Sequence, residues 1–521
     1  MTEDRGVGLK AWLSGPRSRN AKADAQASQV ARMDKRRIVV LPLANISADP
    51  RDEYFADGLT EELISNISNI SELSVISRTS AMSYKGNRKK VSEIGNELDV
   101  GSVLEGSVRK SGSRMRIAVE LIDARSDKHL WAQTYDREFD DVFSIQSDIA
   151  KRVADALRVR ILPGETRQIE KKPTTSSEAY ALYLKGRYFW NKRTKETLLK
   201  AIECFKQAIT TDSNFALAYS GIADSYSVLV DQQHLPYLEA YQKQKENALK
   251  AVQIDESSAE AHTSLASALE GDYNWDGAER EFKRAIELNP NYATAHHWYG
   301  ILLWRVGKLD KSLLEALQAQ LLDPLSPQIA VSLCFVYDAM KEYNLAESLV
   351  RKVLELEPNF LTAHGCLQTL YLHQGRYAEA ETVIREILRL TNGLPWAKAW
   401  MAAGYAFAGR NEEARTILDE VKALPPGTYV GAQPIVYAYV GLGEMERAIE
   451  LIEKEYETRA NWLPVLALDP LVASMRLEPR VTAVLKKSDL APDLQRTKRI
   501  QMRPYWVGGE TSRMVPFPRC F

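Results

Sequence analysis

The sequence predicts two structural parts, a mixed α/β domain at residues 37–162 and an all-α superhelix of repeated helix pairs at residues 179–485. Two observations support this division. Short β-branched runs alternate with amphipathic helical stretches in the first part. From residue 259 onward the chain repeats itself every 34 residues without a gap.

The α/β domain opens with IVVLPL (38–43), an almost wholly apolar run that is typical of a strand buried on both faces. An amphipathic helix follows, because large apolar side chains recur every four residues at Phe55, Leu59, Leu63 and Ile67. Next come a second strand, a second helix, three strand-like runs and a closing helix at 143–159. The predicted order of elements is therefore β-α-β-α-β-β-β-α.

The segments around these two parts have a different composition. Residues 1–36 are predicted to form a disordered basic tail, since residues 1–37 hold nine basic and four acidic side chains. The stretch PGETRQIEKKPTTSSE (163–178) lacks an apolar period and predicts a flexible linker. Residues 486–521 are predicted to form a C-terminal tail.

The repeat is seen when frames are started at residues 259, 293, 327, 361, 395 and 429. Position 20 of the frame holds a small residue in all six units, which lets the second helix approach the first. These residues are Ala278, Ser312, Ala346, Ala380, Ala414 and Ala448. Position 24 is apolar throughout, and Pro290, Pro324, Pro358 and Pro426 end the second helix of four units. Two looser units before residue 259 bring the expected total to about eight.

This pattern resembles the tetratricopeptide repeat, a helix–turn–helix unit of 34 residues. The first part resembles the domain related to the TolB amino-terminal domain and to the flagellar and curli assembly lipoproteins. The resemblance rests on YFADGLTEELI, SRTSAMSYKG, VGSVLEGSVRKSG and HLWAQTYDRE. Relatives often carry an adenylyl cyclase, a winged-helix or a kinase domain in front. Since only about 37 residues stand in front here, we expect a sensory or scaffolding half.

The sequence shows no phosphate-binding loop, dinucleotide fingerprint, zinc-protease motif or nucleophile elbow. We therefore expect no enzymatic activity, no cofactor and no metal. The adjacent His296 and His297 do not change this view. His296 shares frame position 4 with His262 and His364, and successive units displace these side chains along the superhelix, so the position is interpreted as a packing slot.

Charge and cysteine usage exclude some classes of protein. Lys plus Arg total 68 and Asp plus Glu total 69, so neither nucleic acid nor an anionic membrane is an expected partner. The four cysteines are scattered and form no C-x-x-C pair, which is typical of a reducing compartment. With no recognisable signal peptide and no long apolar run, the sequence predicts a cytoplasmic protein without a membrane span.

Frame positions 2, 5, 9, 12 and 13 line the concave groove in the tetratricopeptide-repeat family. No lysine stands at position 5, so the clamp of chaperone-binding members is missing. The candidate groove residues are His297, Trp304, Arg305, Phe335, Trp396, Phe407 and Tyr437. An aromatic groove suits an apolar or extended segment of a protein partner. The alternative is that these rings only pack between neighbouring units.

Three functions are compatible with these observations. The first is a protein-interaction scaffold in bacterial signalling or regulation. The second is an effector sensor whose α/β domain binds a small molecule or nucleotide. The third is an accessory subunit of a separate adenylyl cyclase or transcription regulator. The sequence indicates neither the partner nor the oligomeric state.

Overall fold

A computed structural model describes residues 34–490, except for ten positions inside that range. These are residues 48, 50, 51, 88, 233, 234, 236, 426, 427 and 429. Most of the predicted basic tail and the C-terminal stretch from residue 491 therefore lie outside the described residues.

The first part is the predicted mixed α/β domain. Its strands are β1 (Arg37–Val40), β2 (Ala44–Asn45), β3 (Ser74–Val75), β4 (Ser102–Ser111), β5 (Arg114–Asp123) and β6 (Lys128–Glu138). Its helices are α1 (Glu53–Ser68), α2 (Arg78–Met82), α3 (Val91–Leu98) and α4 (Val142–Leu157). The predicted order is confirmed, with the short β2 and α2 as additions. Neither holds more than five residues, which is too few to show a periodic apolar pattern.

The strands form one sheet in the order β3-β1-β4-β5-β6, with β2 paired to β4. Strand β1 runs parallel to β3 and β4, whereas β4, β5 and β6 form an antiparallel meander. Ile38, Val39 and Val40 are fully buried, as the apolar run at the start of the domain predicts. Strand β6 lies at the far edge of the sheet from β3.

The second part consists of paired helices that stack along the chain. The first four are α6 (Ser177–Trp190), α7 (Lys195–Thr211), α8 (Ala216–Asp231) and α9 (Tyr237–Ile254). The next six are α10 (Ala259–Glu270), α11 (Trp275–Leu288), α12 (Ala293–Arg305), α13 (Leu309–Leu322), α14 (Pro327–Ala339) and α15 (Tyr343–Leu356). The last six are α16 (Leu361–His373), α17 (Tyr377–Leu390), α18 (Pro395–Phe407), α19 (Asn411–Lys422), α20 (Ala432–Gly441) and α21 (Met445–Glu457). The tetratricopeptide-repeat fold is confirmed, and the position-20 residues of the frame are all at most 2% exposed.

The α/β domain docks on the first units of the superhelix. Helix α1 packs against α6 so closely that a Cβ on Gly58 would lie 2.9 Å from the Cβ of Leu184. In the same contact, Arg187 Nε donates to Glu61 Oε1 at 2.8 Å. The turns between later units also reach the domain, since Ser77 N donates to the Leu322 carbonyl at 2.7 Å. The two parts therefore share a continuous interface.

The stretch 163–178 differs from the predicted flexible linker. It contains α5 (Pro163–Ile169), with proline at the first helical position and Glu165 accepting a hydrogen bond from the Leu162 amide at 2.7 Å. Ile169 is fully buried, and its carbonyl accepts a bond of 2.6 Å from Ser147 Oγ. A helix of seven residues with a single buried side chain gives no readable period, which is why the sequence suggested a flexible stretch.

Beyond α21 the chain forms what we call the closing segment, residues 459–490. It contains two 3₁₀ turns, Leu463–Ala467 and Pro470–Leu477, and α22 (Pro479–Lys487). Ser488 is fully buried and Leu490 is 5% exposed, so the chain still packs at these two positions, although the tail was predicted to begin at residue 486. Among the residues that the structure describes, every helix is too short or too polar to cross a bilayer.

Candidate protein-binding groove

Two of the three position-4 histidines, His262 and His296, join the two helices of their units. His296 Nδ1 lies 2.6 Å from Glu315 Oε2 on the following helix, and its Nε2 lies 3.0 Å from the Pro290 carbonyl. His262 repeats this arrangement with Glu281 Oε2 at 2.5 Å. Each imidazole thus fastens the first helix of a unit to its second helix. In the described part of the chain, no group of three His, Cys, Asp or Glu side chains is placed to hold a metal ion.

His297 was predicted to face the groove, and the structure places it between units. It is 8% exposed, and its Nε2 lies 2.8 Å from the Ser332 hydroxyl on α14. Burial and the nearby Arg193 guanidinium lower the pKa of His297 to about 4, so its imidazole is neutral at pH 7. A buried, neutral side chain of this kind joins neighbouring units and offers little surface to a partner.

Trp304 and Phe335 form an aromatic pair on adjacent units. Trp304 stands at frame position 12 and Phe335 at position 9, and their ring centroids lie 5.7 Å apart. Both side chains are partly exposed. The indole N–H of Trp304 has no hydrogen-bond acceptor among the described residues. This pair is the part of the predicted aromatic groove that the structure brings together.

Arg305 is held by carboxylates within the chain. Its guanidinium lies 2.6 Å from Glu270 Oε2 and 3.7 Å from Asp231 Oδ1. Burial raises the pKa of Glu270 to about 7, although the ion pair with Arg305 opposes this shift. The guanidinium therefore links α12 to α10 and α8.

The three remaining candidates lie further along the superhelix. Trp396 and Phe407 are partly buried against two different apolar clusters, so the structure does not bring them together. Tyr437 is 1% exposed, and its hydroxyl donates to Asp469 Oδ2 at 2.8 Å. Since Asp469 belongs to the closing segment, the chain itself covers the groove at this position.

Asp469 is also part of a buried charge cluster. His373 lies between two carboxylates, with Nδ1 2.7 Å from Asp338 Oδ2 and Nε2 3.2 Å from Asp469 Oδ1. Burial alone would lower the pKa of His373, but the two carboxylates raise it to about 10, so the imidazolium persists at pH 7. Asp338, His373 and Tyr437 stand at frame positions 12, 13 and 9, which are groove positions.

The closing segment also returns to the third unit of the superhelix. Arg459 NH1 donates to Asp272 Oδ1 at 3.0 Å, and the indole of Trp275 donates to the Ser488 carbonyl at 2.7 Å. Residues of α10–α12 and of the closing segment share one apolar core here. Sequence reasoning missed this contact. The only available signal was the apolar stretch LPVLALDPLV (463–472), which falls outside the 34-residue period.

The cysteines are arranged differently from the scattered set that the sequence suggested. Cys334 on α14 and Cys366 on α16 are joined as a disulfide, and both are buried. Cys204 is a buried free thiol. Two residues 32 positions apart are paired because the repeat places the first helices of successive units side by side.

Comparison with known proteins gives separate matches for two stretches of the chain. Residues 34–152 match the second domain of the HilA/YgeH-like transcriptional regulators. Residues 263–328 and 367–427 match the tetratricopeptide repeat. The first of these matches begins where the described residues begin and ends within α4.

Two curated relatives align with about half of the chain. A putative adenylate cyclase 3 of Rhizobium meliloti is 32% identical over 277 residues, which are 53% of this chain and 47% of the relative. The transcriptional regulator HilA of Salmonella typhimurium is 23% identical over 291 residues, which are 54% of this chain and 51% of the relative. The chain thus spans about half the length of the curated relatives that it matches.

Solved structures overlap with the chain at low TM-scores. A human IFIT1 dimer with m7Gppp-AAAA has a TM-score of 0.42 and 16% identity, covering 68% of this chain and 78% of that chain. The pilF structure of Pseudomonas aeruginosa has a TM-score of 0.31 and 20% identity, covering 43% of this chain and 99% of that chain.

Proposed function

We propose that the chain is a non-enzymatic interaction scaffold of a bacterial regulatory system, and that an extended segment of a protein partner binds beside Trp304 and Phe335. The observation that carries this proposal is the partly exposed aromatic pair at groove positions 12 and 9. Further along the superhelix, Tyr437 at position 9 is already covered by Asp469. The groove therefore has one occupied stretch and one stretch suited to a partner.

The chemistry of the pair suits an apolar side chain of an extended segment. Two rings at 5.7 Å offer a broad apolar surface with little rotational freedom to lose, and such anchors contribute most of the affinity in many interfaces. The Trp304 N–H would gain an acceptor if the ring turned toward a carbonyl of the bound backbone.

The regulatory setting is supported by two of the relatives that the chain matches. One is a putative adenylate cyclase and the other a transcriptional regulator, and both align with about half of their length. We infer that this chain serves such an output in the cytoplasm, and that its α/β domain is also kin to the TolB-like group. Purified protein incubated with ATP or GTP and Mg²⁺ should form no cyclic nucleotide, whereas metal-dependent product formation would contradict the non-enzymatic assignment.

The binding role is tested by affinity capture with the full chain as bait. Trp304→Ala and Phe335→Ala should each lower recovery of the captured partner, with affinity falling about thirtyfold for a central aromatic anchor. Trp298→Ala is the matched control, since it removes the same ring from the same helix on a different face. Circular-dichroism melts must show that the variants remain folded. Equal binding by all three variants would place the partner elsewhere.

A further inference from the structure

The turn between α6 and α7 holds a guanidinium that lacks an acceptor. Among the described residues, the side chain of Arg193 makes no hydrogen bond and no ion pair, and its Cζ lies 3.5 Å from the ring centroid of Trp190. The side chain is only partly exposed. Burial, followed by the nearby Arg187 guanidinium, lowers the pKa of Arg193 to about 10, so the group is charged at pH 7. A cation that is partly removed from water without a counter-ion attracts an anion that can reach it.

Trp190 holds this guanidinium in a fixed orientation. A separation of 3.5 Å between Cζ and the ring centroid fits only face-to-face stacking of the two planes. Stacking occupies one face of the guanidinium and leaves the N–H groups along its edge free to donate. The indole N–H of Trp190, which is 5% exposed as a side chain, also has no acceptor in the described part of the chain. Donors therefore outnumber acceptors around this stack.

Three carboxylates lie near Arg193, and each of them is bound by another group. Glu61 is bound by two other arginines. Asp224 accepts from a serine hydroxyl at 2.6 Å, and Asp231 accepts from an asparagine amide at 3.0 Å. One positive charge is therefore left without a counter-ion. The same three carboxylates would repel a doubly charged phosphate more strongly than a singly charged carboxylate, so the charge balance favours a carboxylate as the ligand.

The place of Arg193 in the repeat is also unusual. Counted from Ala179, it stands at frame position 15, outside the usual groove positions, and its φ is 56°. Four of the six units from residue 259 onward have glycine at this position, also with positive φ. These glycines are Gly307, Gly375, Gly409 and Gly443. Glycine adopts this conformation without steric strain, so the backbone gives no reason for a long charged side chain here.

Arg193 borders the same inner surface as the aromatic pair of Trp304 and Phe335. Its guanidinium is near enough to His297 to help lower the pKa of that imidazole. His297 and Trp304 are seven residues apart on α12, so they share one face of the helix and lie about 10 Å apart along its axis. An extended chain covers this distance in about three residues.

We propose that Arg193, stacked on Trp190, binds a carboxylate of the partner segment. This inference rests on the proposed function and names the chemistry of the partner. The bound segment is an acidic extended peptide, with an apolar side chain at Trp304 and Phe335 and an aspartate or glutamate about three residues away. A guanidinium and a carboxylate can form two parallel hydrogen bonds, so this contact also fixes the direction of the bound chain.

The first test is phage display of random linear peptides against the full chain. Unchanged protein should enrich peptides with an acidic residue about three positions from a large apolar one. Arg193→Gln should abolish the acidic preference and keep the apolar one, whereas Trp304→Ala should do the reverse. Enrichment of apolar peptides without an acidic residue would overturn this inference and leave the proposed function standing. Failure to enrich any peptide would overturn both.

The second test is fluorescence polarisation with a synthetic copy of an enriched peptide. Arg193→Gln, or replacement of the acidic residue of the peptide by its amide, should each weaken binding about tenfold. The two changes together should weaken binding no more than either one alone, because both remove the same contact. Fully additive losses would contradict the pairing. Arg284→Gln is the matched control, since it removes the same charge at an exposed position on α11 and should bind like the unchanged chain.

Two further measurements separate the pairing from other causes. Arg193→Lys keeps the charge but lacks the planar fork of donors, so it should recover part of the affinity, and it replaces Arg193→Gln if that variant melts early. Acetate and inorganic phosphate at equal ionic strength distinguish the class of anion. Acetate should displace the peptide at least as well as phosphate does. Displacement by phosphate alone would indicate a phosphate site and overturn the proposal.

Discussion

The hydroxyl of Tyr437 donates a 2.8 Å hydrogen bond to Asp469, across 32 residues of sequence. The tyrosine belongs to the superhelix and the aspartate to the closing segment. This contact converts a side chain that the repeat frame assigns to partner binding into part of the protein's own core. It also divides the candidate groove into a covered stretch and the stretch at Trp304 and Phe335.

Asp469→Ala should destabilise the protein by about 3 kcal/mol, since it leaves a buried imidazolium with one carboxylate instead of two. Tyr437→Phe should cost only about 1 kcal/mol, because it removes a single hydrogen bond. Urea unfolding measures both. Asp419→Ala is the control at an aspartate that is 76% exposed, and it should be neutral. Equal losses for Asp469→Ala and Asp419→Ala would show that the charge cluster contributes nothing.

Glu62 should make stability fall as pH rises. Burial, followed by the nearby Glu61 and Glu260, raises the pKa of this carboxyl to about 8 from a usual value of 4.5. Between about pH 5 and pH 8 the folded chain holds a proton that the unfolded chain has lost, so the free energy of unfolding declines over that window.

Glu62→Gln should flatten this part of the pH profile and stabilise the protein above about pH 8. Because Glu270 and Asp224 also have raised pKa values, the comparison is the difference between the variant and the unchanged chain. Glu287→Gln, at a glutamate that is 66% exposed, should reproduce the unchanged profile. A Glu62→Gln profile parallel to that of the unchanged chain would contradict the assignment.

Ala346→Leu and Ala380→Leu should destabilise the protein to different extents, although both alanines stand at frame position 20. Ala346 is fully buried, and added methylenes there should cost about 1–3 kcal/mol. Ala380 borders a cavity of about 190 Å³. The cavity exists because Gly404 stands where the three preceding units have Leu302, Val336 and Leu370. Thermal melts should show a smaller loss for Ala380→Leu, and the reverse order would place the close helix contact elsewhere.

Ile169→Ala should loosen the segment between the two parts. Removing most of a fully buried side chain costs about 2–4 kcal/mol, and the loss should appear as faster tryptic cleavage after Lys171. Leu162→Ala is the control within the same segment, because Leu162 is 45% exposed. In the unchanged chain, the Lys171 contact with Asp255 should slow cleavage. Rapid cleavage after Lys171 without any substitution would support the flexible linker predicted from the sequence.

The structural features that could be predicted from the sequence are those that recur periodically or depend on residues close together in the chain. The 34-residue frame identified the small residues under the helix crossings and gave His296 a packing role, which its contacts with Glu315 and Pro290 explain. Strand and helix order in the α/β domain followed from apolar runs. These features depend on neighbours within one or two repeat lengths, so a single sequence contains enough information to find them.

Contacts between distant parts of the chain could not be predicted. Arg459 donates to Asp272, which lies 187 residues earlier in the chain, and Trp275 donates to the carbonyl of Ser488, 213 residues later. A salt bridge, or a hydrogen bond from an indole N–H, leaves no recognisable sequence pattern around either of the two residues that it joins. The same limit applies to Tyr437, whose place in the frame was correctly assigned but whose covering by Asp469 depends on the path of the closing segment.

The return of the closing segment to the third unit has a consequence for biosynthesis. A stack of repeats can usually acquire structure unit by unit as it leaves the ribosome, since each unit contacts only its neighbours. Here the indole N–H of Trp275 donates to the carbonyl of Ser488, which is translated 213 residues later. The core shared by α10–α12 and the closing segment can therefore be completed only after the last described residues have been translated, so a truncated nascent chain leaves that apolar surface exposed.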